Sequence, residues 1–241
     1  MLLPDADVSR ILVVVAHPDD IDFGAAGSVA VWTDAGIEVQ YCLVTDGDAG
    51  GSDREMSRVE MAAIRREEQT KAAAIVGVHE LHFLGFPDGR VVADLELRHA
   101  ISRVIRDVRP ERVLSMSPER NLDRIYASHP DHLAAGEATL AAVYPDARNP
   151  FAHPDLLDNG HEPWTVSEVY LTAHADNTVY VDITDTFERK LAALECHESQ
   201  HADPARLRTL LSEWGRALGA LAGLPEGRLA EGFRAIDVDP R

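Results

Sequence analysis

The chain has 241 residues, of which 45% are hydrophobic and 27% charged, a composition that excludes intrinsic disorder, collagen-like repeats and a disulfide-stapled scaffold. Its 41 acidic and 23 basic side chains give a formal net charge of -18. A field of that sign repels phosphate backbones and anionic lipid, which argues against nucleic-acid or membrane-surface partners.

Taken in chain order, residues 10–16 (RILVVVA) form a continuous β-branched run, the pattern of a strand buried on both faces of a parallel sheet. The stretch before it has no basic region followed by a long apolar segment, and the run itself is too short to span a membrane. A cytoplasmic protein is therefore expected. A loop of small residues follows, then a helix through 28–36 closing at Gly36, where a C-terminal glycine belongs. The run 37–45 reads as a second strand and 58–76 as an amphipathic helix ending at Gly77. Strand 80–86, helix 95–108, strand 111–117 and a helix after His129 continue the alternation. This rhythm predicts an α/β, doubly wound, Rossmann-like single domain with a mainly parallel sheet and helices on both faces. Its ligand crevice would lie beyond the carboxyl ends of the strands.

Residues 144–165 are rich in Pro, Asn, Asp and Gly and read as a long excursion or lid. Two late edge strands are expected at 167–173 and 178–183, then helices through 185–200 and 205–223. Cys42 and Cys196 lie far apart in apolar-rich segments, as buried thiols of a reducing compartment do.

The first strand ends in Ala16-His17-Pro18-Asp19-Asp20, where the fold puts its crevice. Proline at the second position of a four-residue turn presets its backbone angle, so His17 and Asp20 can converge on one point. Imidazole plus carboxylate suits a divalent metal, zinc above all, and a third ligand leaves a position open for water. The device recurs at His129-Pro130-Asp131-His132, where Pro130 fits the first position of a helix and residues three apart share a face. His-Pro-Asp also occurs at His153-Pro154-Asp155, without other support.

With AHPDD after the first strand and HPDH about halfway along, the sequence resembles the zinc-dependent N-deacetylases of the PIG-L/LmbE-like family. The likeness extends through TDGDAGG, IRREEQTKAAAIVGV, FLGFPDG and RKLAALECHESQ, over most of the chain. It implies Zn2+ held by His17, Asp20 and His132, with Asp19 as general base. His129 would stabilise the tetrahedral oxyanion or help protonate the leaving nitrogen. The resemblance also sets Arg65 and Asp88 against the sugar; each is otherwise readable as a helix ion pair or a turn residue. The implied reaction removes an acyl group, acetyl above all, from an amino sugar or glycoconjugate, through a water whose pKa the metal lowers to about 7. An amidase of a thiol conjugate or antibiotic intermediate is the alternative on the same metal site. Members are often oligomeric, so a homo-oligomer is among the expectations. Many members carry Glu straight after the paired aspartates, where this chain has Ile21 followed by Asp22. That Glu is not a ligand, so the difference bears on the surroundings of the metal and on the substrate subgroup.

Three rival signals compete with this. His197-Glu198-Ser199-Gln200-His201 matches the zinc-protease motif H-E-x-x-H, but it lies near a helix end with Pro204 close behind and no evident third ligand. Solvated histidines near a helix C-terminus are expected there instead. Gly24 and Gly27 hint at a nucleotide-binding module, yet the spacing is not G-x-G-x-x-G and paired carboxylates would repel a pyrophosphate. A non-catalytic metal-binding protein is disfavoured by Asp19 and His129 standing beside the ligands. The three tryptophans, Trp32, Trp164 and Trp214, read as packing residues, with substrate contact the alternative for Trp164 at the end of the excursion.

Overall fold

The computed structural model describes residues 2–51, 53–123, 125–201 and 203–238. Why the first strand lies inside the sheet follows from its composition: in β1 (Arg10–Val15), Ile11 to Val15 are all at most 1% exposed. Each such side chain contributes roughly 1.5–3 kcal/mol of burial only if both faces of the sheet are covered. β2 (Glu38–Thr45) and then β3 (Glu80–Phe86) lie parallel on one side of it, while β4 (Arg112–Met116) and β5 (Glu168–Thr172) lie parallel on the other. β7 (Ala230–Asp237) runs antiparallel between β5 and β6 (Val179–Asp182). The order β3-β2-β1-β4-β5-β7-β6 reverses direction at β1 and β4, the switch point at which such sheets open a crevice.

Helices α1 (Asp20–Asp34), α2 (Arg58–Ile75), α6 (Phe187–Glu195) and α7 (Pro204–Leu221) group together by their mutual packing, and α3 (Leu95–Val108) packs with α4 (Pro130–Ala141). Local chemistry starts them as the sequence suggests. Ser57 and Glu60 form a reciprocal capping box on α2, and Asp94 accepts the Leu97 N–H at the head of α3. α3 buries Leu97, Ile101, Val104, Ile105 and Val108, one stripe at helical spacing.

Four differences from expectation have physical causes. α1 starts at Asp20, so the small residues 24–27 are helical: a Cβ on Gly27 would lie 2.8 Å from Ile183, and one on Gly24 3.3 Å from Thr172. Close packing, not a dinucleotide, accounts for those glycines. β5 is an interior strand because β7, whose Gly232 and alternating charges hid it, inserts beside it. α6 stops at Glu195, leaving 197–201 outside the helix.

The fourth concerns 144–165. α4 carries the chain away from the crevice, so this segment begins at the other end of the sheet. There it holds the short helix α5 (Pro154–Asp158), and Trp164 donates to the Pro110 carbonyl just before β4. Buried Arg106 of α3 donates to the carbonyls of Asp146, Ala147, Asn149, Ala152 and His161. The segment is thus an anchored excursion opposite the crevice and does not cover it. Asp155 of the third His-Pro-Asp pairs with His99 and His153 with Asp146, far from the other two motifs.

Candidate metal centre

Chain reversal after β1 delivers the first set of side chains. Asp19 caps α1 in the left-handed region, φ 84°, a conformation costly for a residue with a Cβ and one that collects at functional sites. Its N–H donates to Gln69 Oε1 at 2.8 Å, and Arg65 donates to the Pro18 carbonyl at 2.5 Å and the Gly47 carbonyl at 3.2 Å. α2 therefore pins the turn from outside. The kink sends the two neighbouring carboxylates apart: Asp20 toward His17 and His132, Asp19 toward Arg65 (3.3 Å) and His201 (3.4 Å).

The second set enters at the head of α4. His129 is its N-cap and accepts the Asp131 N–H through Nδ1 at 3.2 Å. That bond requires Nδ1 to be unprotonated, so a neutral His129 carries its hydrogen on Nε2. Burial, and then positive charge on His17 and His132, push its pKa below the ordinary imidazole value, which favours this neutral donor form.

Three candidate ligand atoms from the two motifs meet. His17 Nδ1 lies 3.3 Å from Asp20 and 3.3 Å from His132 Nε2, which is 3.0 Å from the other Asp20 oxygen. Tetrahedral zinc with bonds of ~2.0–2.1 Å sets its donor atoms roughly 3.3 Å apart, so the spacing fits such a cation. The far nitrogen of His17, Nε2, faces Asp88 at 3.1 Å and Asp131 at 3.2 Å, and Asp131 is itself fixed by the Gly89 and Val91 N–H groups. A carboxylate behind the imidazole is the usual support of a metal-binding histidine.

Electrostatics agree that the cluster lacks positive charge. Burial opposes protonation of His17, yet Asp20, Asp131 and Asp88 outweigh it and push the imidazole up to about 12. Burial alone would raise Asp20, but His132 and His17 hold it well below the usual carboxylate range. His132 is raised in turn, Asp20 overcoming its desolvation. A bound cation would take over the charge these imidazoles otherwise carry.

All seven residues singled out in the sequence lie in this one place. Arg65 and Asp88 are both buried, however, and their hydrogen bonds run to the protein: Asp88 accepts the Ala49 N–H at 3.0 Å and faces His17. Asp131 is a member of the site that the sequence marks only as an acid between two candidate ligands. His197 and His201 differ from expectation. His197 is fully buried against Asp22 and His201 lies beside Asp19 with its ring edge-on to Phe23. They are not solvated helix-end histidines. Nor do they form a protease-type pair, since the chain has left the helix and the rings stand 6.4 Å apart.

A His/Asp cluster able to hold a metal, set at the switch point of a doubly wound sheet, defines the class of protein; relatives define the family. The chain belongs to the GlcNAc-PI de-N-acetylase (PIG-L) family, whose model matches residues 12–143. It is similar to the diacetylchitobiose deacetylase of Thermococcus kodakarensis, 37% identical over 97% of this chain and 85% of that one. A probable N-acetyl-alpha-D-glucosaminyl L-malate deacetylase 2 of Bacillus anthracis is 30% identical over 80% of this chain and 82% of its own. Among solved structures, N,N'-diacetylchitobiose deacetylase from Pyrococcus horikoshii superposes with a TM-score of 0.89 at 31% identity, covering 97% of this chain and 86% of that chain.

Proposed function

We propose that the protein is a zinc-dependent N-deacetylase that hydrolyses the acetamido group of a small amino sugar or glycoconjugate. His17, Asp20 and His132 would hold the metal. The observation that carries this reading is the mutual 3.0–3.3 Å spacing of their donor atoms, with the Asp19 carboxylate on the adjoining residue turned away from them. The relatives named above support the substrate class.

The chemistry a divalent cation supplies at such a set is polarisation of the amide carbonyl and acidification of water. Asp19 removes a proton from the attacking water and returns it to the nitrogen as the C–N bond breaks, giving the carboxylic acid and the amine; the acid's remaining proton then passes to the amine, so the products leave as carboxylate and ammonium. Its carboxylate is kept ready for this by Arg65 and His201 at 3.3 and 3.4 Å. His129, with Nδ1 engaged by the Asp131 N–H, presents Nε2–H to the oxygen that gains charge at the tetrahedral stage. Asp88 and Arg65 stay as the proposed contacts on the sugar side, acting from the loops they brace.

Among the described residues no helix is long and apolar enough to cross a membrane, and two free thiols, Cys42 and Cys196, suit a reducing, cytoplasmic setting. The test is metal analysis of the purified protein together with a panel of N-acetylated sugars, glycoconjugates and peptides scored for free amine and acetate. Stoichiometric zinc with amine released from the sugars supports the reading; peptides cleaved in preference to sugars would overturn it.

A further inference from the structure

The crevice has two chemically different halves. On the β2 and β3 side of β1 its loops carry charges linked to one another: Asp48 with Arg58 at 2.6 Å, Asp46 with Arg66 at 2.8 Å, and Asp88 accepting from Ala49. On the β4 and β5 side lies a cavity of about 910 Å³ that has Asp20 and His132 in its wall. That volume is near the top of the ~300–1,000 Å³ span of small-molecule sites. Its remaining surface is dominated by Phe23, Met116, Ile183, Leu211, Trp214 and Leu218.

Of the charged groups that reach this wall, Glu213 stands at an exposed position of α7, and the others are engaged. Lys190 and Glu231 pair with each other; Lys190 also donates to the Phe23 carbonyl and Glu231 accepts from Gly27 and Ser28. His174 pairs with Glu119. Asn177 and Glu213 offer polar atoms there, but the larger part of the wall is apolar and suits methylene groups better than sugar hydroxyls.

Resting on the deacetylase reading, we propose that this apolar half holds the acyl portion of the substrate and that the protein prefers N-acyl groups longer than acetyl. An amide carbonyl placed at Asp20 and His132 has its amine substituent on one side and its acyl carbon on the other. With the amino sugar toward the polar loops, the acyl chain runs into the cavity between α1 and α7. Apolar burial is worth up to about fourfold in affinity per methylene.

The experiment compares N-acetyl-, N-butyryl- and N-hexanoylglucosamine, with the octyl glycoside of N-acetylglucosamine as a control for an apolar group on the other side. The expected result is kcat/KM rising about tenfold or more from acetyl to hexanoyl. Calorimetric Kd values on the Asp19→Asn variant should follow the same order without turnover. Leu218→Gln, and Leu210→Gln at a 55% exposed position that tolerates polarity, should each lower the hexanoyl-to-acetyl ratio. Acetyl turnover with a flat or falling length series overturns the inference while leaving the deacetylase reading in place. A gain confined to the octyl glycoside assigns the cavity to the aglycone and overturns it too. So does a flat series in a protein whose dimer, seen by light scattering, dissociates on Leu210→Gln, because a second copy then covers the wall. Amine released from none of the compounds sinks both readings.

Discussion

His197 donates through Nε2 to Asp22 across 2.8 Å, and neither side chain reaches solvent. Gln69 donates to the same oxygen at 2.9 Å while its own carbonyl holds the Asp19 N–H. One buried carboxylate thus ties α1, α2 and the segment after α6 together immediately behind the turn that bears the candidate base. His197→Ala withdraws a donor from a buried acid, which costs about 2–4 kcal/mol. The shift is read in urea unfolding, with His197→Gln recovering part of it. An alanine variant as stable as the parent would contradict this role.

Separate tasks for neighbouring acids predict separate losses. Asp19→Asn should keep its metal and lose roughly 10²–10⁴-fold in turnover. His129→Ala should keep metal and lose on the order of 10²–10³-fold, the worth of one oxyanion donor. Metal content by mass spectrometry and acetate release distinguish these from a folding defect; undiminished turnover in either variant would remove its proposed role.

Metal removal should register in stability as well as activity. A ligand at 100 times its Kd stabilises the folded state by about 2.7 kcal/mol, or roughly 5–10 °C for a domain of this size. Adding zinc to the chelated parent should raise Tm by that amount, and His132→Ala should abolish most of the gain. An equal rise in the variant would argue that the cation binds elsewhere.

Burial pushes the Cys42 thiol up to about 12, and Cys196, half-buried, is raised as well. At pH 8 a disulfide reagent should therefore label the folded protein slowly, through Cys196 first, and both thiols at once after denaturation. Fast native labelling of Cys42 would contradict its burial.

Gly136 lies where α4 crosses the end of β4: a Cβ there would fall 2.3 Å from the Met116 carbonyl oxygen, a backbone atom. Gly136→Ala should cost about 1–3 kcal/mol and displace the helix that carries His129 and His132. Thermal unfolding together with metal titration would reveal both effects.

The parallel half of the fold is legible because its strands are apolar runs alternating with amphipathic segments, two of them closed by glycine at Gly36 and Gly77. β7 is not, since Glu231, Gly232 and Arg234 break the apolar pattern, and their reasons lie in distant partners such as Lys190. The site is legible where ligands sit within one turn, His17 with Asp20 and His129 with His132. Contacts across more than a hundred residues carry no local signature. His201 beside Asp19 and Asp22 beneath His197 therefore appear only once the chain is folded.

The left-handed backbone at Asp19 has one more consequence. Glycine would occupy that angle without a Cβ to resent it, so the chain keeps its reactive acid at a place where a different residue would rest more easily. Asp19→Gly would ease the turn and disarm it in the same step, but it would also strip His201 and buried Arg65 of the carboxylate they face, so the acid that strains the backbone is also one that its neighbours require.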